Sequence, residues 1–482
     1  MPQPARSTAS KGLLEAYKTA RTARAMSDLF EEHARLTAKY VHACSRGHEV
    51  IQVAAGQRLL PQDYVSCYYR DDSLLLSMGV TPKELMLQLF AKKDDPFSGG
   101  RTYYSHPSLN RPGQPKIPHQ SSATGMQAIP AAGAAMGLQY LRQMELLSQA
   151  VKDGKAAGLP EVEAVPGISF CSIGDAAMTE GEVAEAFHMT ALKSLPMVWL
   201  VQDNEWDISA HSSEVRFGDA TTFAKAFPGI EVLSVDGTDW GACDQAMAHA
   251  IDTARREQRP FLVHASVPLL GHHTSGVRRE FYRDDLEEAA ANDPLPKLEA
   301  ALLEAGTERG ALDLLHAEIE AEVQVAFDEA RAADEPDVSD LLPHRFAPAA
   351  VLEEQGTRHP EGGELTLMVD CALHAMQEIM EDHPECAQSP AHLWPRRRTS
   401  RALHGSAGLG GAAHLRGGAQ RLEAEHGIVV HRAIVRPQFA LVKLGAARRL
   451  SLRHLVLDHR RLHLVAAAAD RAAAGRPAAG RP

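Results

Sequence analysis

Asp175 and Asn204 are the first residues whose type and spacing could do chemistry. Asp175 closes one apolar run, GISFCSIGD, and Asn204 closes another, PMVWLVQDN, 29 residues later. Between them EVAEAFHMTALKSL has helical spacing, so the segment predicts a strand–helix–strand unit with parallel strands. Ligands of parallel sheets sit beyond the carboxyl ends of the strands. That geometry brings one carboxylate and one amide oxygen together, both hard donors. Magnesium takes about six oxygens, commonly one or two carboxylates plus phosphate oxygens and water, so the pair suits a metal-bound diphosphate. Gly174 permits close backbone approach. The T-x-x-E spacing of Thr179 and Glu182 predicts a capping box that starts the helix with its amides toward an anion. The plain alternative is that Asp and Asn end strands here as they do in many α/β proteins.

The elements that must hold this pair continue the same alternation. Residues 11–60 read as helices, and residues 116–142 as a polar turn followed by a small-residue helix, AIPAAGAAMGLQYL. FPGIEVLSVDG, a helical stretch and PFLVHASVPLL add strands after Asn204, and residues 284–335 are charged and helical. The fold class expected is α/β, an open, mostly parallel sheet flanked by helices, with an incomplete second domain toward the C-terminus. The expected organisation is a diphosphate-binding domain over 1–342, a linker over 343–363, the start of a second domain over 364–388, and a compositionally aberrant tail over 389–482.

Bulk properties exclude other classes. A net charge of -12 argues against nucleic-acid or anionic-membrane partners. Six scattered cysteines without a CxxC pair form neither a disulfide framework nor a zinc site, and the N-terminus has no unbroken apolar stretch of signal-peptide type. A reduced, cytoplasmic chain is expected.

The motifs add a resemblance. GDAAMTEGEVAEAFHMTALKSLPMVWLVQDNEWDIS resembles the thiamine diphosphate motif of the E1 α-subunits of 2-oxo acid dehydrogenases, in which GDG precedes a distant Asn. RGHEVIQVAAG (46–56), YYRDD (68–72), HQSSATGMQAIPAAGAAMG (119–137), VDGTDW (235–240) and GHHTSGVRREFYR (271–283) fall in that family's order, so the resemblance covers about residues 12–388. It is nearest the branched-chain (2-oxoisovalerate) type with α and β parts fused.

The resemblance implies roles residue by residue. Asp175, Asn204 and the carbonyl of Trp206 would bind Mg2+. Tyr69 and Arg70 would meet the diphosphate, Gly174 and Ala176 would form the cofactor turn, and Ser122 and Thr124 would lie on the aminopyrimidine side. His273 would orient substrate and cofactor and serve as a proton handle near neutral pH, with Glu180 beside the same pocket. The implied reaction is oxidative decarboxylation of a branched-chain 2-oxo acid, with acyl transfer to the lipoyl group of an E2 component. The implied partners are an E1 β chain or a second copy in an α2β2-like assembly. Departures are Ala176 for the third residue of GDG, Trp206 for tyrosine, Gln202 where an arginine can contact phosphate, and no acidic pair after His273.

Composition breaks near residue 389. From there on the chain holds 16 Arg and one Lys against four acidic residues, and the β-part motifs do not follow. The expectation is a truncated or frame-shifted β part, hence half a cofactor site. The alternatives to the branched-chain enzyme are an inactive subunit acting only in assembly or binding, and an E1 for pyruvate or acetoin. The G-x-G-x-x-A spacing of Gly408–Ala413 lacks a preceding strand, and His459/His463 lack further zinc ligands, so neither outranks the Asp175–Asn204 site.

Overall fold

The computed structural model describes residues 5–119, 121–143 and 165–341, together with helical positions between 370 and 378. The chain divides into two compact units, Met1–Arg345 and Phe346–Pro482. The linker, the start of the second domain apart from those helical positions, and the tail expected from the sequence lie outside the described residues.

In the first unit five parallel strands form one sheet. They are β1 (Tyr64–Ser66), β2 (Ser169–Gly174), β3 (Met197–Asp203), β6 (Glu231–Asp236) and β7 (Phe261–Ser266), in the order β1-β2-β3-β7-β6. Two short strands, β4 (Trp206–Asp207) and β5 (Ala210–His211), make an antiparallel hairpin after β3. The expected open parallel α/β sheet is therefore present. Strands β2 and β3 are fully buried, which is why they read as unbroken apolar runs rather than as an alternation.

The alternation is still there, sorted between two cores. Phe170, Val198, Leu200, Phe261 and Val263 face one core with helices Ala5–Glu32, Glu49–Gly56 and Trp240–Glu257. Cys171, Ile173, Met197, Trp199, Val201 and Leu262 face the other, with helices Ala128–Gln143 and Gly181–Lys193. The small residues of Ala128–Gln143 work as expected. Ala128, Ala131, Ala132 and Ala135 are buried, and Ser169 Oγ of β2 donates to the Ala131 carbonyl at 2.8 Å.

The capping box does not form. Thr179 ends a short 3-10 turn, its hydroxyl donating to the Ala176 carbonyl at 2.9 Å, and the helix begins at Gly181 with Glu180 as an N-cap that makes no side-chain bond. The local turn satisfied the hydroxyl before the helix could use it.

Candidate active site

Register fixes the centre of the site. Gly174 of β2 pairs with Gln202 of β3, so Asp175 and Asn204 leave adjacent parallel strands at their carboxyl ends. Asp175 is 3% exposed and Asn204 5%. Ala176 keeps an ordinary right-handed backbone, φ -65°, so its methyl group costs nothing where a glycine is usual. Gly174 is needed for a different reason from the one its sequence suggested. A Cβ there would lie 2.6 Å from the phenol oxygen of Tyr68, so the glycine makes room for that ring.

A cationic group reaches the carboxylates of Asp175 and Asp203 from the C-terminal end of the short helix Ser212–Val215 after β5. Arg216 Nη2 lies 2.9 Å from Asp175 Oδ2 and 2.7 Å from Asp203 Oδ1, and His264 Nε2 donates to Asp203 Oδ2 at 2.9 Å. Burial pushes the Asp203 carboxyl up, but the hydrogen bonds from His264 and Arg216 more than reverse it and hold it low. Asp175 goes the other way. Burial and the neighbouring Asp203 charge hold it well above the usual carboxylate range, against the pull of Arg216.

The β1 and β7 exits supply the second half of the wall. Arg70 is wholly buried, its guanidinium 5.4 Å from the Tyr69 ring centroid. Arg70 Nη2 donates to the His273 carbonyl at 3.2 Å, while its Nε has no partner. His273 is 6% exposed, its Nδ1 also without a partner, and its ring is 6.4 Å from that of Tyr69. Burial, then the Arg70 charge, pushes the His273 imidazole down to about 3, so in this state it is neutral rather than poised near pH 7. Trp206 is held by its side chain as well as its position. Its Nε1 donates to Asp285 Oδ2 at 3.2 Å, and the Arg283 guanidinium lies 5.2 Å from its ring.

Ser122 and Thr124 sit on an exposed loop that lines one small cleft with Tyr68, Tyr69 and Ala177. Glu180 joins that wall from the exposed side. Gly125, with φ +81°, packs so closely that a Cβ would meet Glu180 Cβ at 3.1 Å. Among the described residues no three His, Cys, Asp or Glu side chains form an all-protein metal cage.

Comparison with known proteins settles the family. The family model described as "Dehydrogenase E1 component" matches residues 17–339. The chain belongs to the dehydrogenase E1 component family. The 2-oxoisovalerate dehydrogenase subunit alpha of Bacillus subtilis (strain 168) is 30% identical over 303 residues, covering 61% of this chain and 82% of that one. The mitochondrial 2-oxoisovalerate dehydrogenase subunit alpha 2 of Arabidopsis thaliana is 29% identical over 262 residues, and there the match spans about half of the relative, 50%. The pyruvate dehydrogenase E1 component subunit alpha of Porphyra purpurea is 28% identical over 316 residues, covering 64% of this chain and 84% of that one.

The E1 family is thiamine diphosphate-dependent, and this E1-type chain fits that group. Two buried nitrogens, Arg70 Nε and His273 Nδ1, lack partners at the sheet edge where an anion would lie, and at the same edge the buried carboxylates of Asp175 and Asp203 share one guanidinium, that of Arg216. Sequence reading missed Asp203, Arg216 and His264. Asp203 was visible one residue before Asn204, but nothing local marks Arg216 as its counter-ion. Gln202 was read as a lost phosphate contact. It is fully buried, with its amide bonded to His48, Gln52, Asp71 and Ser172.

Proposed function

We propose that this chain is the α component of a branched-chain 2-oxo acid dehydrogenase that binds thiamine diphosphate through Mg2+ and passes the acyl group to a lipoyl-bearing partner. The observation carrying the proposal is the convergence of Arg70, Asp175, Asn204 and His273 on one carboxyl edge of the parallel sheet. When bound, thiamine diphosphate supplies the carbanion nucleophile and electron sink for decarboxylation.

The chain's own residues do the rest. Asp175, the Asn204 amide oxygen and the Trp206 carbonyl would hold Mg2+, with phosphate oxygens and water completing its shell. Arg70, whose Nε has no partner, would face the diphosphate, with Tyr69 packed over its guanidinium. Gly174 and Ala176 shape the turn that the cofactor would meet, and Ser122, Thr124 and Glu180 form the wall beside it. His273 would hold a proton at Nδ1. Burial is the first cause that keeps the imidazole from protonating and the Arg70 charge the second; an anion beside Arg70 would offset the second and raise its affinity for a proton. The branched-chain substrate rests on resemblance to the 2-oxoisovalerate relatives; pyruvate remains the competing substrate because a pyruvate relative matches at similar identity.

The test is a titration of the chain with thiamine diphosphate and Mg2+, followed by decarboxylation of 3-methyl-2-oxobutanoate and of pyruvate, each with and without an added E1 β chain. Asp175→Ala is expected to abolish Mg2+-dependent cofactor binding. Unchanged affinity in that variant defeats the metal assignment. Binding without turnover, even with a β chain, favours the inactive-subunit reading suggested by the composition break at residue 389.

A further inference from the structure

His48 is wholly buried beneath the site, on a segment that the mechanism above does not use. Gly47 puts it there. With φ +98° and a Cβ position only 1.9 Å from the Pro268 carbonyl oxygen, residue 47 must be glycine for the chain to pass against the β7 exit. His48 Nδ1 then lies 2.9 Å from Gln202 Oε1, and its Nε2 lies 3.3 Å from Asn204 Nδ2.

The direction of this chain of bonds is set from its far end. The Arg70 carbonyl can only accept, and Gln52 Nε2 donates to it at 2.9 Å. The same Gln52 nitrogen donates to Gln202 Oε1 at 2.8 Å. Gln202 Nε2 in turn donates to Asp71 Oδ1 at 2.7 Å and to Ser172 Oγ at 2.8 Å. The amide of Gln202 is therefore fixed with its oxygen toward His48. An oxygen there requires a proton on His48 Nδ1. The neutral ring then presents a lone pair at Nε2, which can bind only the NH2 end of Asn204.

We propose that His48 is a positioning residue for Asn204: through its Nδ1-H tautomer it holds the amide nitrogen of Asn204 and so leaves Oδ1 as the atom presented to the cation. Asn204 Oδ1 accepts from the Trp206 backbone N–H at 3.1 Å and keeps a second lone pair for a metal. A flipped amide would turn NH2 toward the cation and set it against the Trp206 N–H. The protein thus chooses between the two ends of Asn204 through a relay of three side chains, His48, Gln202 and Gln52. Partners outside the ligand shell that orient a ligand typically change metal affinity by 10- to 100-fold when removed, so an effect of about tenfold is expected.

This inference rests on the Mg2+ reading of Asp175 and Asn204, and the experiment separates the two. Mn2+ binding to the full chain with thiamine diphosphate present is followed by electron paramagnetic resonance for wild type, His48→Gln, His48→Asn and Asp175→Ala. A glutamine oxygen reaches about where Nε2 stood and can accept from Asn204. An asparagine ends short of it while still reaching Gln202. His48→Asn is expected to lose about tenfold in Mn2+ affinity and His48→Gln to stay within about threefold. Equal affinity in His48→Asn and wild type, with loss in Asp175→Ala, overturns the role of His48 alone. Equal loss in both His48 variants also overturns it, since packing rather than an acceptor would then be at stake. Retained affinity in Asp175→Ala overturns the site and the role of His48 with it. Nitrogen-15 histidine spectra of the wild-type chain read the tautomer directly and do not depend on any variant folding: Nδ1-H is expected for His48, and Nε2-H overturns the proposal.

Discussion

The Arg216 guanidinium stands 2.9 Å from Oδ2 of Asp175, the carboxylate proposed above as a Mg2+ ligand. Both side chains are at most 5% exposed. Their attraction is therefore little screened by water, and each is costly to leave alone. Arg216→Gln leaves Asp175 and Asp203 facing each other with only His264 beside Asp203. Removing one partner of a buried ion pair costs about 3–5 kcal/mol. The expected outcome is a lowered melting temperature in EDTA, with much of the loss recovered by Mg2+ and thiamine diphosphate. A variant that melts like wild type in EDTA would show that the guanidinium does not neutralise this pair.

The contrast between Asp175 and Arg216 also shows what could be read from the chain. Strands β2, β3 and β7 were legible because burial on both faces leaves an apolar run in sequence, while β6, largely half-buried or exposed, was legible from its place in the strand–helix alternation. β1 was not: three residues carry little pattern, and its pairing with β2 joins Tyr64 to Ser169 across the whole Ala128–Gln143 helix. Asp175, Asn204, Arg70 and His273 could be singled out as candidates because each ends a strand or falls in a motif. Their partners were not, because Arg216, His264 and His48 gain meaning only when distant segments meet. Thr179 misled for a local reason, since its hydroxyl had a nearer acceptor than the helix end.

Gly174 and Tyr68 make a second test. Gly174→Ala drives a methyl group to 2.6 Å from the Tyr68 hydroxyl and 2.9 Å from its Cζ. Overpacking of this kind costs about 1–3 kcal/mol. Tyr68→Phe removes the nearer of the two atoms, so the double variant should be more stable than additivity of the single changes predicts. Denaturant unfolding of the four proteins measures the coupling; strict additivity would mean that the ring and the glycine do not press on each other.

Asp71 and Asp72 predict a pH dependence. Burial is the leading cause for both, raising Asp71 to about 6 and Asp72 from 3.8 to about 7. A folded-state value above the unfolded one means that the folded protein binds the proton more tightly. The stabilisation is thus fully present below about pH 4 and is lost as pH rises through about 7 for Asp72. Each tenfold change in proton affinity is worth about 1.4 kcal/mol, so the ceiling for Asp72 is about 4 kcal/mol. Asp72→Asn keeps an acceptor for the Ser45 amide, 3.3 Å away, without a charge. It should match wild type near pH 4 and exceed its melting temperature near pH 8. Parallel melting curves for the two proteins across that range would refute the assignment.

Asp63 and Arg255 test how the site is held in register. Arg255 grips Asp63 with two bonds, Nη1 to Oδ1 at 2.7 Å and Nη2 to Oδ2 at 2.8 Å. The same carboxylate accepts the Ile168 amide at 3.0 Å and the Leu60 amide at 2.7 Å. One buried ion pair therefore ties the turn before β1, the residue entering β2 and the helix Trp240–Glu257, and it sets the register from which Tyr69 and Arg70 emerge. Arg255→Met strands a fully buried carboxylate, so a loss of about 3–5 kcal/mol is expected. Adding Asp63→Asn removes that stranded charge, while the asparagine oxygen can still accept one of the two backbone amides. The double variant should therefore be more stable than Arg255→Met alone, although two changes have been made. Chemical denaturation decides the matter: a double variant less stable than Arg255→Met would show that the backbone contacts of Asp63, and not its pairing with Arg255, hold β1 against β2.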